Sequence, residues 1–465
     1  MDLIPDPVFI YHFTKHLAGV NRLWDYSPEQ IENYQVKSLK KMIKYANKTV
    51  LYQKKFRKAN LDINQIQKIE DIKKLPFVSK DDLRAHSPSE MLPNNSTEKD
   101  YYKVATSGST GKPINIYRDD NAVALESTNI FRTLKTYGLH PFKTKVTHIG
   151  DFSIPDSYDE ECINNGTFKK LGFLSNSSES NAQHLYAGDN ITKIMEKMDL
   201  FKPDFIVSYP GTLLGLMELR KQGKAENINP KYVVVSGGVL DGYLKRQFEN
   251  TFDTKVFNLY AATEGGTVAY ECLHGNYHVQ SDLVYVEAVD KNMETVGFGK
   301  HGHLVITRLY SGGTPILRYT GMDDIITLKD GKCDCGLNTQ LLENVEGRTS
   351  DSIVLPDGRI FPPATFTLIP GEVSEESGYD IVQRFQIIQN KIDEINIFIV
   401  INNDFREKVK SVDDILNEIK KRYQLIVGEK VNVTIKEVDK VKEDKKSPTS
   451  LSSIVMSYVN HKEMF

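Results

Sequence analysis

The sequence predicts an α/β chain with a large N-terminal domain, residues 1–346, of mixed and parallel sheets flanked by helices. A smaller α+β C-terminal domain is expected over residues 347–465. Three observations carry this. Short apolar runs alternate with helical patterns through the middle of the chain. The residues beyond Gly347 change to a strand-rich pattern with one amphipathic helix. The length, 465 residues, exceeds what one hydrophobic core usually organises.

The elements follow in order. Residues 27–57 read as one long helix: Ser27 is placed to cap it, Pro28 suits its first turn, and Gln30 completes a capping box. Leu39, Met42, Ile43 and Ala46 fall on one face at helical spacing. Residues 204–208, Tyr232–Val235 and Val256–Tyr260 are short apolar runs, each closing on a Gly-rich or polar turn. Leu213–Lys221 and Leu240–Phe252 between them have helical character. In sheets built this way, ligands gather at the carboxyl ends of the strands. Beyond the boundary, Tyr379–Ile388, Glu394–Ile401 and Val431–Val438 read as strands. Val412, Ile415, Leu416 and Ile419 mark a helix face.

Composition excludes several classes. Charged residues make up 26% and the formal net charge is -3, so nothing favours nucleic acid or an acidic membrane surface. The Lys440–Lys446 stretch is interrupted by Glu443 and Asp444 and reads as a solvated loop. No apolar run is long enough to span a bilayer. The first residues lack a basic stretch followed by an apolar core, so no secretion signal is read. Four cysteines in a chain of this length make no disulfide framework, and a cytoplasmic location is expected.

The sharpest local pattern is Thr106-Ser107-Gly108-Ser109-Thr110-Gly111-Lys112-Pro113. Gly108 and Gly111 let backbone N–H groups approach an anion closely, the hydroxyls add donors, and Lys112 adds a cation. It is not a P-loop: a Walker A loop opens on a glycine where this string has Thr106, and follows its lysine with Ser or Thr where this has Pro113. The pattern resembles the phosphate-binding loop of the adenylate-forming superfamily, which includes acyl-CoA synthetases, adenylation domains and luciferases. Matching segments follow in the family's order. Ser236-Gly237-Gly238 resembles its adenine-contacting turn. Tyr260-Ala261-Ala262-Thr263-Glu264-Gly265 resembles the tyrosine-to-glutamate motif, which implies Thr263 near the α-phosphate and Glu264 near magnesium. Pro315–Asp323 resembles the segment whose aspartate holds the ribose, here Asp323 with Asp324 beside it. Gly347-Arg348 and Asp351 resemble the hinge into a mobile small domain, with Arg348 facing ribose or phosphate or forming an interdomain ion pair. Leu39–Phe56 followed by Leu75–Arg84 is typical of the phenylacetate–coenzyme A ligase family, which the whole chain resembles.

That resemblance implies ATP, turned over to AMP, and Mg²⁺ as cofactors, a carboxylic acid as substrate, and coenzyme A or a carrier protein as thiol acceptor. Amine acceptors and a catalytically weakened nucleotide- or acyl-binding relative are the alternatives. Aromatic acids such as aryl acetates are the family-based expectation. The chain also departs from the pattern. Where relatives carry a lysine after a Ser-Gly pair near the C-terminus, this sequence has Lys445-Lys446-Ser447-Pro448, so Lys445 or Lys446 substitutes only with a shifted loop, Lys446 being the candidate. Val239 stands where relatives usually have an acidic residue.

The cysteines suggest a separate site. Cys333-Asp-Cys335-Gly336 pairs two thiols before a turn, and Cys272 precedes His274 and His278. Cys272, His278, Cys333 and Cys335 would make a closed Cys₃His structural Zn²⁺ site, with His274 as the competing ligand. Some phenylacetate–coenzyme A ligase relatives resemble this pattern and carry such a metal. Cys162 is left over and reads as an ordinary buried thiol.

Overall fold

The computed structural model describes residues 7–94, 96–105, 114–150, 181–237, 242–322, 324–348, 353–357, 359–361, 364–379, 381–441 and 455–457. The strands in chain order begin with β1 (Tyr102–Ala105), β2 (Asn115–Arg118), β3 (Val146–Gly150), β4 (Ala182–Tyr186), β5 (Phe205–Ser208), β6 (Tyr232–Val235) and β7 (Lys255–Ala262). Next come β8 (Gly266–Glu271), β9 (Tyr277–Val279), β10 (Val284–Val289), β11 (His301–Arg308), β12 (Asp324–Lys329) and β13 (Leu341–Arg348). Last are β14 (Ile353–Val354), β15 (Ile360–Phe361), β16 (Val382–Lys391), β17 (Glu394–Ile401), β18 (Asn432–Glu437) and β19 (Val455–Ser457).

An 11-stranded sheet in the order β10-β11-β12-β13-β9-β8-β7-β6-β5-β3-β4 dominates the large unit. Its β3–β7 half is parallel, with the Pro210–Lys221 and Gly242–Phe252 helices as crossovers. Its other half is antiparallel. Strand β7 is the joint: it runs parallel to β6 and antiparallel to β8. The α/β class and the mixed sheet are therefore as expected, and the strands read at 204–208, 232–235 and 256–260 are β5, β6 and β7.

The N-terminal helix differs from expectation. It is two helices, Pro28–Ala46 and Val50–Lys58, broken at 47–49. The Thr49 hydroxyl donates to the Ala46 carbonyl at 2.8 Å and accepts from the Tyr52 amide, ending one helix and capping the next. The Ser27–Gln30 capping box forms as read, and Leu39, Met42, Ile43 and Ala46 are buried.

Beyond β13, a sheet in the order β18-β17-β16-β19 packs with the Ala364–Glu376 and Val412–Val427 helices. These elements bury their own apolar cluster, which runs from Ile353 to Val433 and includes Phe366, Ile397 and Ile419. Among the described residues, no helix is long and apolar enough to cross a membrane.

Candidate functional site

The parallel half of the sheet aims two of the expected motifs, and the turn after β5, the same way. Ser208-Tyr209 leaves the carboxyl end of β5, Ser236-Gly237 that of β6, and Tyr260–Glu264 that of β7. The Ser236 amide donates to the Ser208 carbonyl at 3.0 Å, which extends the β5–β6 pairing into the turn. Gly237 has φ +73, and a Cβ there would lie 2.5 Å from the Tyr209 ring, so the turn needs glycine for conformation and for space.

The phosphate-loop string itself, residues 106–113, lies outside the described residues, and so do Gly238, Val239, Asp323, Asp351 and Lys446. The stem of the loop is described: β1 and β2 pair antiparallel from Tyr102↔Arg118 to Ala105↔Asn115. That hairpin is seated on the start of the Pro315–Asp323 motif. The Thr314 amide donates to the Tyr117 carbonyl at 2.9 Å, and the Thr314 hydroxyl accepts from the Tyr117 amide at 3.0 Å. Gly313, at φ +81, approaches so closely that a Cβ would fall 1.8 Å from the Tyr117 carbonyl oxygen. The hairpin also reaches the β7–β8 turn, where Arg118 Nη2 donates to the Thr263 carbonyl at 2.7 Å. The base of the loop and the Thr263–Glu264 turn are thus neighbours.

Glu264 is 6% exposed and Tyr319 is fully buried. The Tyr319 hydroxyl donates to Glu264 Oε1 at 3.2 Å. Among the described residues Glu264 makes no ion pair of 4 Å or less. Burial pushes its carboxyl pKa up, opposed by its own backbone amide, Lys80, the Tyr319 hydroxyl and Arg118. A buried carboxylate without an ion pair among the described residues fits a hard divalent cation such as Mg²⁺.

Tyr319 is held by bridges to Val78 on one side and Ile306 on the other. The Val78 amide donates to the Arg318 carbonyl at 3.0 Å, and the Thr320 amide to the Val78 carbonyl at 2.9 Å. Arg318 makes a buried two-point contact with Glu287 at 3.0 and 2.9 Å, and donates to the Leu75 carbonyl at 2.9 Å. Tyr52 fills the far side: its hydroxyl donates to the Pro315 carbonyl and accepts from the Leu317 amide, both at 3.0 Å. The Leu75–Arg84 segment is therefore a buttress for the motif strand.

Tyr260 donates its phenol to Asp324 Oδ2 at 2.5 Å. Asp324 is thus engaged with the tyrosine motif. Arg348 ends β13, where its backbone pairs with Asp324 of β12. Arg118, Tyr319, Arg318 and Asp324 received no firm role from the sequence. Tyr319 and Arg318 stood inside a recognised motif, but nothing in their spacing revealed which carboxylate each would face.

The second expected site assembles. Cys272, His278, Cys333 and Cys335 place their ligand atoms within 4.8 Å of one another. Cys272 Sγ lies 3.6 Å from Cys333 Sγ, and Cys335 Sγ lies 3.2 Å from His278 Nε2. A tetrahedral zinc with thiolates at about 2.3 Å and imidazole at about 2.0 Å spaces its ligand atoms roughly 3.5–3.8 Å apart, close to these values. Thr339 Oγ1 contacts His278 Nδ1 at 2.8 Å and fixes the ring with Nε2 toward the sulfurs. Burial lowers the His278 pKa to about 4, so the imidazole is neutral, as a ligand must be. His274 approaches only through its amide, 3.4 Å from Cys272 Sγ, and does not join the four. Cys162 lies outside the described residues.

No protein-family model matches the chain. A phenylacetate–coenzyme A ligase of Thermus thermophilus is 24% identical over 436 residues, spanning 88% of this chain and 92% of the relative. One of Escherichia coli is 25% identical over 348 residues, spanning 72% and 75%. The protein CapK of Staphylococcus aureus is 20% identical over 432 residues, spanning 93% and 89%. Among solved structures, 2-hydroxyisobutyryl-CoA ligase in a postadenylation state shares the fold, with a TM-score of 0.74, 18% identity and coverage of 91% of this chain and 89% of that one. With the ordered motifs at the strand ends, the chain is similar over most of its length to phenylacetate–coenzyme A ligases, AMP-forming acid–thiol ligases.

Proposed function

We propose that the chain activates an aromatic acid of the aryl acetate type and passes the acyl group to coenzyme A. In the first step a carboxylate oxygen of the acid attacks the α-phosphorus of ATP. The bond to the β-phosphate oxygen breaks, and pyrophosphate leaves. In the second, the thiol sulfur attacks the acyl carbon and AMP departs with the carboxylate oxygen, the thiol proton passing to solvent. Two anions must meet in the first step, so catalysis is mostly charge neutralisation and positioning.

In this reading Thr106–Gly111 and Lys112 hold the β- and γ-phosphates, and Thr263 faces the α-phosphate. Glu264 holds Mg²⁺, which neutralises phosphate charge when bound. Ser236, Gly237 and Gly238 contact adenine, Tyr260 and Ala261 flank the nucleotide, and Asp323 accepts from the ribose hydroxyls. Residues 347–351, with Arg348, absorb a rotation of the small unit between steps. Lys446 is the candidate for the C-terminal cation. The four-residue Cys/His cluster holds a structural zinc that cross-links the β8–β9 turn to the 331–340 loop.

The observation that carries the reading is the buried Glu264 carboxylate, without an ion pair among the described residues, on a turn bonded to the stem of the phosphate loop. The test is ATP–pyrophosphate exchange across a panel of carboxylic acids. Exchange with aryl acetates, lost in Glu264→Gln while the fold is retained, is the expected result. Exchange retained in that variant would remove Glu264 from the metal role. Silence with every acid despite nucleotide binding would favour a binding protein. Discharge of a trapped acyl-AMP by coenzyme A, and not by an amine or a carrier-protein thiol, checks the acceptor.

A further inference from the structure

We propose that Arg118, braced by Glu126, is a positioning residue that sets the Thr263–Glu264 turn against the phosphate-loop hairpin; this rests on the reading of Glu264 as the metal-holding carboxylate. Arg118 is the last residue of β2, the strand that receives the chain from the phosphate loop. Its Nη2 donates to the Thr263 carbonyl at 2.7 Å, and its Nε lies 3.2 Å from Glu126 Oε1. The same Glu126 oxygen accepts from the Tyr310 hydroxyl at 2.7 Å and lies 3.6 Å from Arg308 Nη2. Arg308 is 1% exposed and stacks over the Tyr310 ring at 4.2 Å.

The turn is bonded to this ionic group at its start and passes close to it at its end. At its start, the Thr263 carbonyl accepts from Arg118. At its end, Gly266 has φ +68, and a Cβ there would lie 3.2 Å from the Tyr310 hydroxyl and 3.5 Å from the Glu126 carboxylate. The Thr263 carbonyl belongs to the peptide unit that leads into Glu264, so its orientation sets where the Glu264 side chain starts. A guanidinium fixed by a carboxylate holds that peptide plane more rigidly than a neutral donor would. The hairpin that carries the phosphate loop and the turn that carries the metal carboxylate are thereby locked to one spacing. Misplacement of reacting groups by an ångström costs about 10²-fold in rate.

The experiment compares the unmutated chain with Arg118→Met, Arg118→Lys and Glu126→Gln in ATP–pyrophosphate exchange at saturating acid, with Mg²⁺ titrated. Arg118→Met is expected to lower exchange turnover by about 10–100-fold and to raise the half-saturating Mg²⁺ concentration, with the KM for the acid unchanged. Arg118→Lys restores part of both losses, and Glu126→Gln falls between. Melting temperatures are measured alongside. If Arg118→Met loses thermal stability while turnover and Mg²⁺ dependence stay within about twofold of the parent, the inference is overturned and the cluster is structural. If the unmutated chain shows no exchange, the adenylation reading fails on its own. The positioning role is then decided by calorimetry: Arg118→Met must lose more affinity for ATP with Mg²⁺ than for ATP without it, and equal losses overturn it.

Discussion

Tyr319→Phe is the cleanest probe of the buried carboxylate. The substitution keeps a fully buried ring on a backbone bridged to Val78 and Ile306, and removes one oxygen, the hydroxyl that donates to Glu264. A hydrogen bond to a charged group contributes about 1.5–3 kcal/mol. At 3.2 Å this one is longer than the usual O–H···O bond of about 2.7–2.8 Å, so the low end applies, about 1.5 kcal/mol or roughly tenfold in rate. Without the hydroxyl, Glu264 has more rotamer freedom and a weaker hold on a cation. ATP–pyrophosphate exchange should therefore fall about tenfold, with the loss concentrated at limiting Mg²⁺ and partly recovered at high Mg²⁺. Unchanged exchange and unchanged Mg²⁺ dependence, in a variant that melts like the parent, would refute the idea that Tyr319 orients this carboxylate.

Two further predictions concern other parts of the molecule. Asp282 is 1% exposed and accepts from Arg132 at 2.8 and 2.9 Å and from Arg22 at 2.7 Å. Asp282→Asn removes the one buried charge that pairs both guanidiniums and should cost about 3–5 kcal/mol, read from urea unfolding at neutral pH. Burial pushes the Asp282 carboxyl up, but Arg132 and Arg22 overcome it and hold the pKa below the ordinary 3.8. Its contribution is thus complete above that ordinary value and fades as pH falls through the lower native one, so parent and variant should converge only in strong acid. For the cysteine cluster, elemental analysis should return one zinc per chain. Thr339→Val should speed zinc transfer to a chromophoric chelator, through an affinity loss of about 10–100-fold, with four thiolate and imidazole ligands still present; metal-free protein of full stability would count against the site.

What the sequence disclosed, and what it withheld, follows from the range of the interactions. Ser27, Pro28 and Gln30 act on neighbours three residues away, so their cap was legible. The strands at 205–208 and 232–235 are buried on both faces in a parallel sheet and read as plain apolar runs. The break at Thr49 was hidden because Leu51, Tyr52 and Phe56 continue the apolar spacing of the helix before it, and one hydroxyl decides the matter. The antiparallel half of the sheet was less visible: β8 to β13 are interrupted by glycines, turns and charged residues, and pair across loops. The cysteine cluster was legible although its halves lie about 60 residues apart in sequence, because ligand chemistry restricts which residues can meet. Arg118 could not be read: its partner Thr263 is 145 residues away, and an arginine at a strand end is ordinary.

The Tyr52 phenol has a consequence for backbone exchange. By donating to Pro315 and accepting from Leu317, it gives those two backbone groups the partners that another strand would have supplied, while Val78 and Ile306 serve the residues that follow. The amides of Leu317 and Tyr319 should accordingly be among the slowest in the chain to exchange with deuterium.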